Sequence, residues 1–279
     1  MKFAKYHALG NDYIVIDPGD LPGDLDQETI RQICHRHYGI GSDGILLGPL
    51  ETNSADFGLR VFNPDGSEAQ ASGNGLRIFA RFLLDDGCAG GGSFTVQTPG
   101  GIYMCDVSED GRSVTVQMGR VTFDSRLIPV AGRPREVLNE IIEVDCQELA
   151  YCAASVGNPH CVVLCERPSP EIAQRLGPLI ETDSRFPDRT NVQFMQVLDR
   201  GNIRIEIWER GAGYTLASGS SSTAAAAVAH RLGLCDARID VHMPGGSLNI
   251  QLDEKFKATL TGPVRKICSG ALSAELFET

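Results

Sequence analysis

Two serines stand where a helix begins. The first, Ser72, lies in Asn63-Pro-Asp-Gly-Ser-Glu-Ala-Gln-Ala-Ser-Gly-Asn-Gly-Leu-Arg-Ile-Phe-Ala-Arg-Phe82. Pro64-Asp65-Gly66 is a turn that a strand cannot absorb. From Leu76 the residues Leu76, Phe79, Ala80 and Leu83 recur at i, i+3, i+4 and i+7, the period of one buried helix face. Ser72 therefore sits among unpaired backbone N–H groups at the positive end of a helix dipole, a place that suits a carboxylate or phosphate. An ordinary N-cap serine fits the same pattern.

The design recurs. Ala217-Ser218-Gly219 echoes Ala71-Ser72-Gly73 at a separation of 146 residues, and an alanine-rich helix follows it to Leu232-Gly233. Gly10-Asn11 matches Gly157-Asn158 at 147, Pro99-Gly100-Gly101 matches Pro244-Gly245-Gly246 at 145, and Gly119 before Val121 matches Gly262 before Val264 at 143. Matches in one order with so little drift indicate a duplicated half. A pseudo-twofold axis between the halves would bring both helix starts onto one site.

The elements that must hold these serines are many short strands around one helix in each half. Phe3 to Asp17 reads as two strands joined at Gly10-Asn11-Asp12, residues 18 to 25 as loop, and Asp26 as the cap of a helix over Thr29 to Arg36. Strands are expected at Ile45 to Leu47, Asp56 to Phe62, Phe94 to Gln97, Ile102 to Val107 and Ser113 to Met118. Residues 123 to 135 read as a linker. Beyond it come strands at 136–144, 150–156, 160–165, 192–197, 203–208, 237–242, 248–252 and 256–260, with a short helix over Pro170 to Leu176. Ala224 to Ala229 shows no charged face, as in a helix buried all round. The class is α+β, not alternating βαβ. The expected domains are 1–125 and 126–265, with a tail, 266–279, packing back on the first half.

Composition bounds the function. The chain has 279 residues, 42% hydrophobic and 22% charged, as in ordinary globular proteins. A net charge of −11 disfavours nucleic acid and anionic membrane as partners. No apolar run approaches the roughly 20 residues of a membrane span, and the first residues read as a strand, not a signal peptide. Nine scattered cysteines without a Cys-x-x-Cys suggest a reduced, cytoplasmic protein with neither a disulfide frame nor a metal site.

Taken together, Gly10-Asn11-Asp12, Gly41-Ser-Asp43, Asn63-x-Asp-Gly-Ser-Glu68, Gly73-Asn-Gly-x-Arg77, Gly157-Asn-Pro-His160, Arg189-Thr-Asn191, Glu209-Arg-Gly-Ala-Gly213 and Thr261-Gly-Pro263 resemble diaminopimelate epimerase over the whole length. The resemblance implies two pseudo-symmetric halves, each a barrel-like antiparallel or mixed sheet around a central helix, with the site in the cleft between them. It implies an isomerase that uses no pyridoxal phosphate, no metal and no other cofactor, and that inverts one α-carbon of an amino acid on the route to lysine and peptidoglycan. By the same resemblance Asn11, Asn63, Asn74, Asn158, Asn191, Glu209 and Arg210 contact substrate. Gly73 and Asn74, with Gly219 and Ser220, present helix-start N–H groups to the reacting carboxylate. A small amino-acid substrate and a homodimer are the expected partners.

The bases depart from the family. Its two cysteines fall on Ser72 and Ser218, Tyr214 stands where the family has glutamate, and Ser220-Ser221 replace Thr-Gly. A thiol has a pKa near 8.5, lowered further at a helix N-terminus, whereas a serine hydroxyl is a far weaker acid. His160, at i+2 from Asn158 on a strand, is a candidate to reach the site or to serve as a structural histidine. Tyr214 could orient a serine or only pack. Asp43, Asp65 and Glu209 fit turn or binding roles better than that of a base. Three outcomes stay open: epimerisation by a Ser/Ser pair, another reaction such as dehydration or double-bond migration on a diverged site, and binding of an amino acid without turnover.

Overall fold

The computed structural model describes residues 1–21 and 23–277. Residue 22, in the loop expected over 18–25, and residues 278 and 279 of the expected tail lie outside the described residues. The chain forms two compact units. One comprises Met1–Val116 together with the segment from Gly262 onward, and the other Gln117–Thr261.

In chain order the elements are β1 (Lys2–Ala8), β2 (Asn11–Ile16), α1 (Gln27–Cys34), β3 (Ile45–Leu50), β4 (Phe57–Phe62), β5 (Glu68–Ala69), α2 (Gly73–Asp85), β6 (Gly92–Thr98), β7 (Gly101–Val107) and β8 (Ser113–Arg120). They continue with β9 (Glu140–Val144), β10 (Gln147–Ser155), β11 (Pro159–Leu164), α3 (Pro170–Glu181), β12 (Asn191–Asp199), β13 (Asn202–Glu209), β14 (Gly213–Thr215) and α4 (Gly219–Arg231). The last are β15 (Arg238–Met243), β16 (Gly246–Leu252), β17 (Lys257–Pro263) and β18 (Arg265–Ala271).

The first unit pairs β1 antiparallel with β2, β2 parallel with β3, β3 antiparallel with β4, β4 parallel with β6, and β6 antiparallel with β7. The second unit repeats each step: β10 antiparallel with β11, β11 parallel with β12, β12 antiparallel with β13, β13 parallel with β15, and β15 antiparallel with β16. A further strand flanks each, β18 on β1 and β9 on β10, both antiparallel. α2 packs on β1, β2, β3 and β7, and α4 on β10 to β13, β15 and β16, so a sheet wraps one central helix in each unit.

Side-chain size explains the two central helices. Leu76, Phe79, Ala80 and Leu83 of α2 are wholly buried, as their period requires, and Ile78 joins them. Each large apolar side chain so buried contributes about 1.5–3 kcal/mol. α4 is wholly buried from Ser221 to Ala229. Its buried hydroxyls are satisfied along the helix, Ser222 on the Ser218 carbonyl and Thr223 on the Gly219 carbonyl, each at 2.8 Å.

Several expected boundaries change. Residues 123–135 are not a free linker: Phe123, Ile128 and Val130 are buried, the last two in the core of the second unit with Tyr151, Phe186 and Phe194. α3 runs to Glu181, five residues beyond Leu176. The helix continues through Gly177, where Trp208 approaches it; a Cβ there would lie 2.5 Å from the Trp208 Cβ. The tail opens with a strand, β18, registered from Lys2↔Ala271 to His7↔Arg265. A local alternation reading misses it because all seven residues are exposed.

Candidate active site

Ser72 caps α2 from an extended backbone, φ −138° and ψ 121°. Its Oγ accepts the Gly75 N–H at 3.0 Å and the Tyr13 hydroxyl at 3.3 Å. Gly73 and Asn74 form the first turn of the helix, where backbone N–H groups have no intrahelical acceptor.

A directional chain of hydrogen bonds fixes the amides beside Ser72. Arg77 donates to Asn74 Oδ1 at 2.7 Å, Asn74 Nδ2 to Asn11 Oδ1 at 2.9 Å, and Asn11 Nδ2 to Asp43 Oδ2 at 2.9 Å. Arg36 closes the chain on Asp43 Oδ1 at 2.6 Å. A guanidinium only donates and a carboxylate only accepts, so the ends dictate which way both amides point. Arg77 is wholly buried, and burial lowers its guanidinium to about 9; among the described residues Nε and Nη1 have no hydrogen-bond partner. Asp12 extends the charged end. Burial raises its carboxyl, but the bonds from Arg36 and Lys5 prevail and hold it below the usual range. Asn63 is half-buried at the end of β4 and donates to Ser67 Oγ at 2.9 Å. Asp65 accepts from the same Ser67, a turn role.

In the second unit Ser218 caps α4 at φ −145° and ψ 127°, and its Oγ accepts the Ser221 N–H at 3.4 Å. Gly219 and Ser220 open the helix. Asn158 Nδ2 donates to Ser220 Oγ at 3.4 Å, and His160 Nε2 lies 3.0 Å from Asn158 Oδ1. Asn158 and His160 thus share a side, as their spacing suggests. His160 nevertheless has no exposed surface, and its ring is held against Asn158. Burial pushes the imidazole down to about 3, with Gln193 opposing and the Arg210 charge adding to the fall. The ring is neutral at physiological pH and orients Asn158.

Asn191 is buried; it donates to the Pro159 carbonyl at 2.8 Å and accepts the Arg210 N–H at 3.0 Å. Arg210 itself is exposed, with Nη1 on the Asp188 carbonyl at 2.9 Å. Glu209, beside it, is half-buried. Tyr214 does not orient a serine: its hydroxyl donates to Glu206 Oε2 at 2.7 Å, and burial together with that carboxylate raises the phenol well above its ordinary value.

Sequence reasoning missed four residues that build these surroundings. Tyr13 reaches Ser72, and Gln193 donates to Ser221 Oγ at 3.0 Å. Glu181 accepts from Trp208 Nε1, Arg189 and the Gly211 N–H, and so organises the 208–211 turn. Glu206 holds Tyr214. The duplication carried a signal for Tyr13, which falls on His160 at the 147-residue offset of Asn11 and Asn158. Among the described residues no group of three or more His, Cys, Asp and Glu side chains is placed to hold a metal ion. Among the described residues no helix is long and apolar enough to cross a membrane. A cavity of about 630 Å³ in the first unit, bounded by Tyr6, Phe82, Asp85 and Lys266, lies at the far end of α2 from Ser72.

This fold, a strand-wrapped central helix built twice, is shared with solved structures that are remote in sequence. A hydroxyproline epimerase from Agrobacterium vitis with bound trans-4-hydroxy-L-proline superposes with a TM-score of 0.70 at 17% identity, over 97% of this chain and 90% of that one. A methylitaconate-Δ-isomerase superposes at 0.66 and 13% identity, over 97% and 94%. The family model described as diaminopimelate epimerase matches residues 3–123 and 152–267. Among curated relatives, diaminopimelate epimerase 2 from Nostoc sp. is 57% identical over 99% of this chain and 97% of its own length. The diaminopimelate epimerase of Moorella thermoacetica is 39% identical over 97% and 98%. The chain belongs to the diaminopimelate epimerase family, a family of isomerases.

Proposed function

We propose that the protein inverts one α-carbon of diaminopimelate, removing its proton on one face and returning a proton on the other, with Ser72 and Ser218 as the two proton-carrying groups. One observation carries the reading: each serine caps a 13-residue central helix beside an asparagine whose amide is oriented by its neighbours. Loss of the α-proton sends negative charge into the carboxylate. The N–H groups at Gly73, Asn74, Gly219 and Ser220 are suited to that charge and need no rearrangement to meet it. The exposed fork of Arg210 suits the distant carboxylate, and Glu209 with the amide oxygens suits the ammonium groups.

In the same reading the enzyme works in the cytoplasm as a homodimer. Nine free thiols fit a reducing compartment. β18, exposed at all seven positions, offers a surface for a second copy, to be tested by light scattering. A second reading gives the serines a more acidic carbon, in a dehydration or double-bond migration. The tyrosine at 214 favours it, because that position lacks the carboxylate implied by the resemblance and its hydroxyl is taken up by Glu206.

The deciding experiment combines calorimetry with diaminopimelate, α-proton exchange in deuterium oxide, and LL-to-meso turnover. Binding with exchange and inversion is expected. Exchange with a different product supports the second reading. Tight binding without exchange makes the protein an amino-acid-binding homologue and overturns both.

A further inference from the structure

The two serines are not equivalently supported. Ser72 Oγ receives a side-chain hydroxyl, from Tyr13, in addition to the capping N–H. The cap needs only the second of these. Tyr13 is 7% exposed on β2, and its ring occupies space that Gly44 leaves open: a Cβ at 44 would lie 2.7 Å from the ring's Cε1. At the duplicated position stands His160, whose Nε2 is engaged with Asn158. Ser218 Oγ accepts the longer Ser221 N–H at 3.4 Å.

Resting on the functional reading above, we infer that Tyr13 is a positioning residue that shares the proton of Ser72, so that Ser72 with Tyr13 does the work of one ionisable base. A phenol has a pKa of about 10 in water, near a thiol's 8.5 and far below that of an aliphatic alcohol. Tyr13 as phenolate takes the Ser72 hydroxyl proton while Ser72 Oγ takes the α-proton. The Cα–H bond breaks and its electron pair stays on the substrate. A new O–H bond forms at Ser72, and the old Ser72 proton ends on Tyr13. Same-face return runs these steps backwards and hands the original proton back to the α-carbon; when the Ser72 and Tyr13 hydroxyls first trade protons, a solvent proton taken up at Tyr13 reaches the α-carbon instead, with configuration retained. Ser218 gives its hydroxyl proton to the α-carbon from the other face, which completes inversion, and regains a proton from water while Tyr13 gives its own proton to water. The 3.3 Å separation is of the kind that tightens when substrate binds.

Two consequences follow from this asymmetry. One diaminopimelate isomer should exchange its α-proton faster than it inverts. That exchange should climb as pH rises, because the phenolate is the working form. The test is a cycle of Tyr13→Phe and Ser72→Cys. In the Ser72 background Tyr13→Phe should cut exchange about 100-fold and flatten the pH climb, while diaminopimelate still binds by calorimetry. With Ser72→Cys present the thiol ionises unaided, and Tyr13→Phe should cost no more than about threefold. Phe fills the same space, and thermal melts check that both variants fold. Equal losses in the two backgrounds, or unchanged exchange in the first, overturn the Tyr13 assignment alone. A parent that neither binds diaminopimelate nor exchanges its α-proton overturns the functional reading and this inference with it.

Discussion

Ser72 and Ser218 put a weak acid where the resemblance implies a thiol, while the helix N-termini that would ionise a thiol are kept. Ser72→Cys combined with Ser218→Cys should therefore raise LL-to-meso turnover at least about tenfold. Either replacement alone should do much less, since inversion needs a proton carrier on each face. A coupled turnover assay checks this, and no gain in a double variant that still binds diaminopimelate would mean a site rebuilt for other chemistry. Arg210 is exposed, so its loss strands no buried charge. Arg210→Ala should weaken diaminopimelate binding by about 1.5–3 kcal/mol, the range of a charge-assisted hydrogen bond, or roughly 10- to 100-fold in Kd by calorimetry. An unchanged Kd would assign the carboxylate to another group. The binding roles proposed for Arg210 and Glu209 were legible in the Glu-Arg-Gly-Ala-Gly pattern through the resemblance it carries. The engagement of Tyr214 with Glu206 was not, because the sequence names a hydroxyl but not its acceptor.

α3 and α2 show how packing overrides local preference. Gly177 lies inside α3, where alanine is favoured by about 1 kcal/mol on helix propensity alone. Yet a Cβ there would meet Trp208 at 2.5 Å. Gly177→Ala should therefore destabilise the protein by about 1–3 kcal/mol, as overpacking does, read as a lowered midpoint in urea unfolding. A raised midpoint would show that Trp208 yields. In α2, Arg77 is both the origin of amide orientation and a buried cation, two of whose nitrogens have no hydrogen-bond partner among the described residues. Arg77→Met removes the desolvation cost along with the bond to Asn74. Stability should move by less than about 1.5 kcal/mol, while diaminopimelate affinity should fall about tenfold or more as Asn74 and Asn11 lose their fixed polarity. Denaturation and calorimetry on one preparation separate the two effects.

Across the whole molecule, His160 supplies a pH signature. Its folded value of about 3 lies below the ordinary 6.5, so the unfolded chain binds the extra proton between those limits. Its contribution is present above pH 6.5 and is lost as pH falls toward 3, with stability declining on acidification. Asp12 loses its contribution lower, below its ordinary value of 3.8, because its folded carboxyl is held down. Unfolding free energy should therefore fall already between about pH 6.5 and about pH 4.5, and His160→Gln should flatten that limb while Gln still offers a donor to Asn158. An unaltered slope would show that the ring is not buried neutral.

The duplication, the class of the fold and the two capped serines are written locally. Helix period, glycine turns and cap residues act within a few positions, and their repetition at nearly constant spacing is visible without coordinates. The central helices and most strands follow from the same short-range rules. What tertiary structure alone decided are contacts between residues far apart in the chain. β18 closes on β1, Tyr13 reaches across to Ser72, Asp43 and Arg77 orient two asparagines between them, and residues 123–135 pack into a core. Polar groups and exposed strands carry little periodic signal, and their partners are chosen by burial, which requires each hidden donor to find an acceptor wherever the fold brings one within reach.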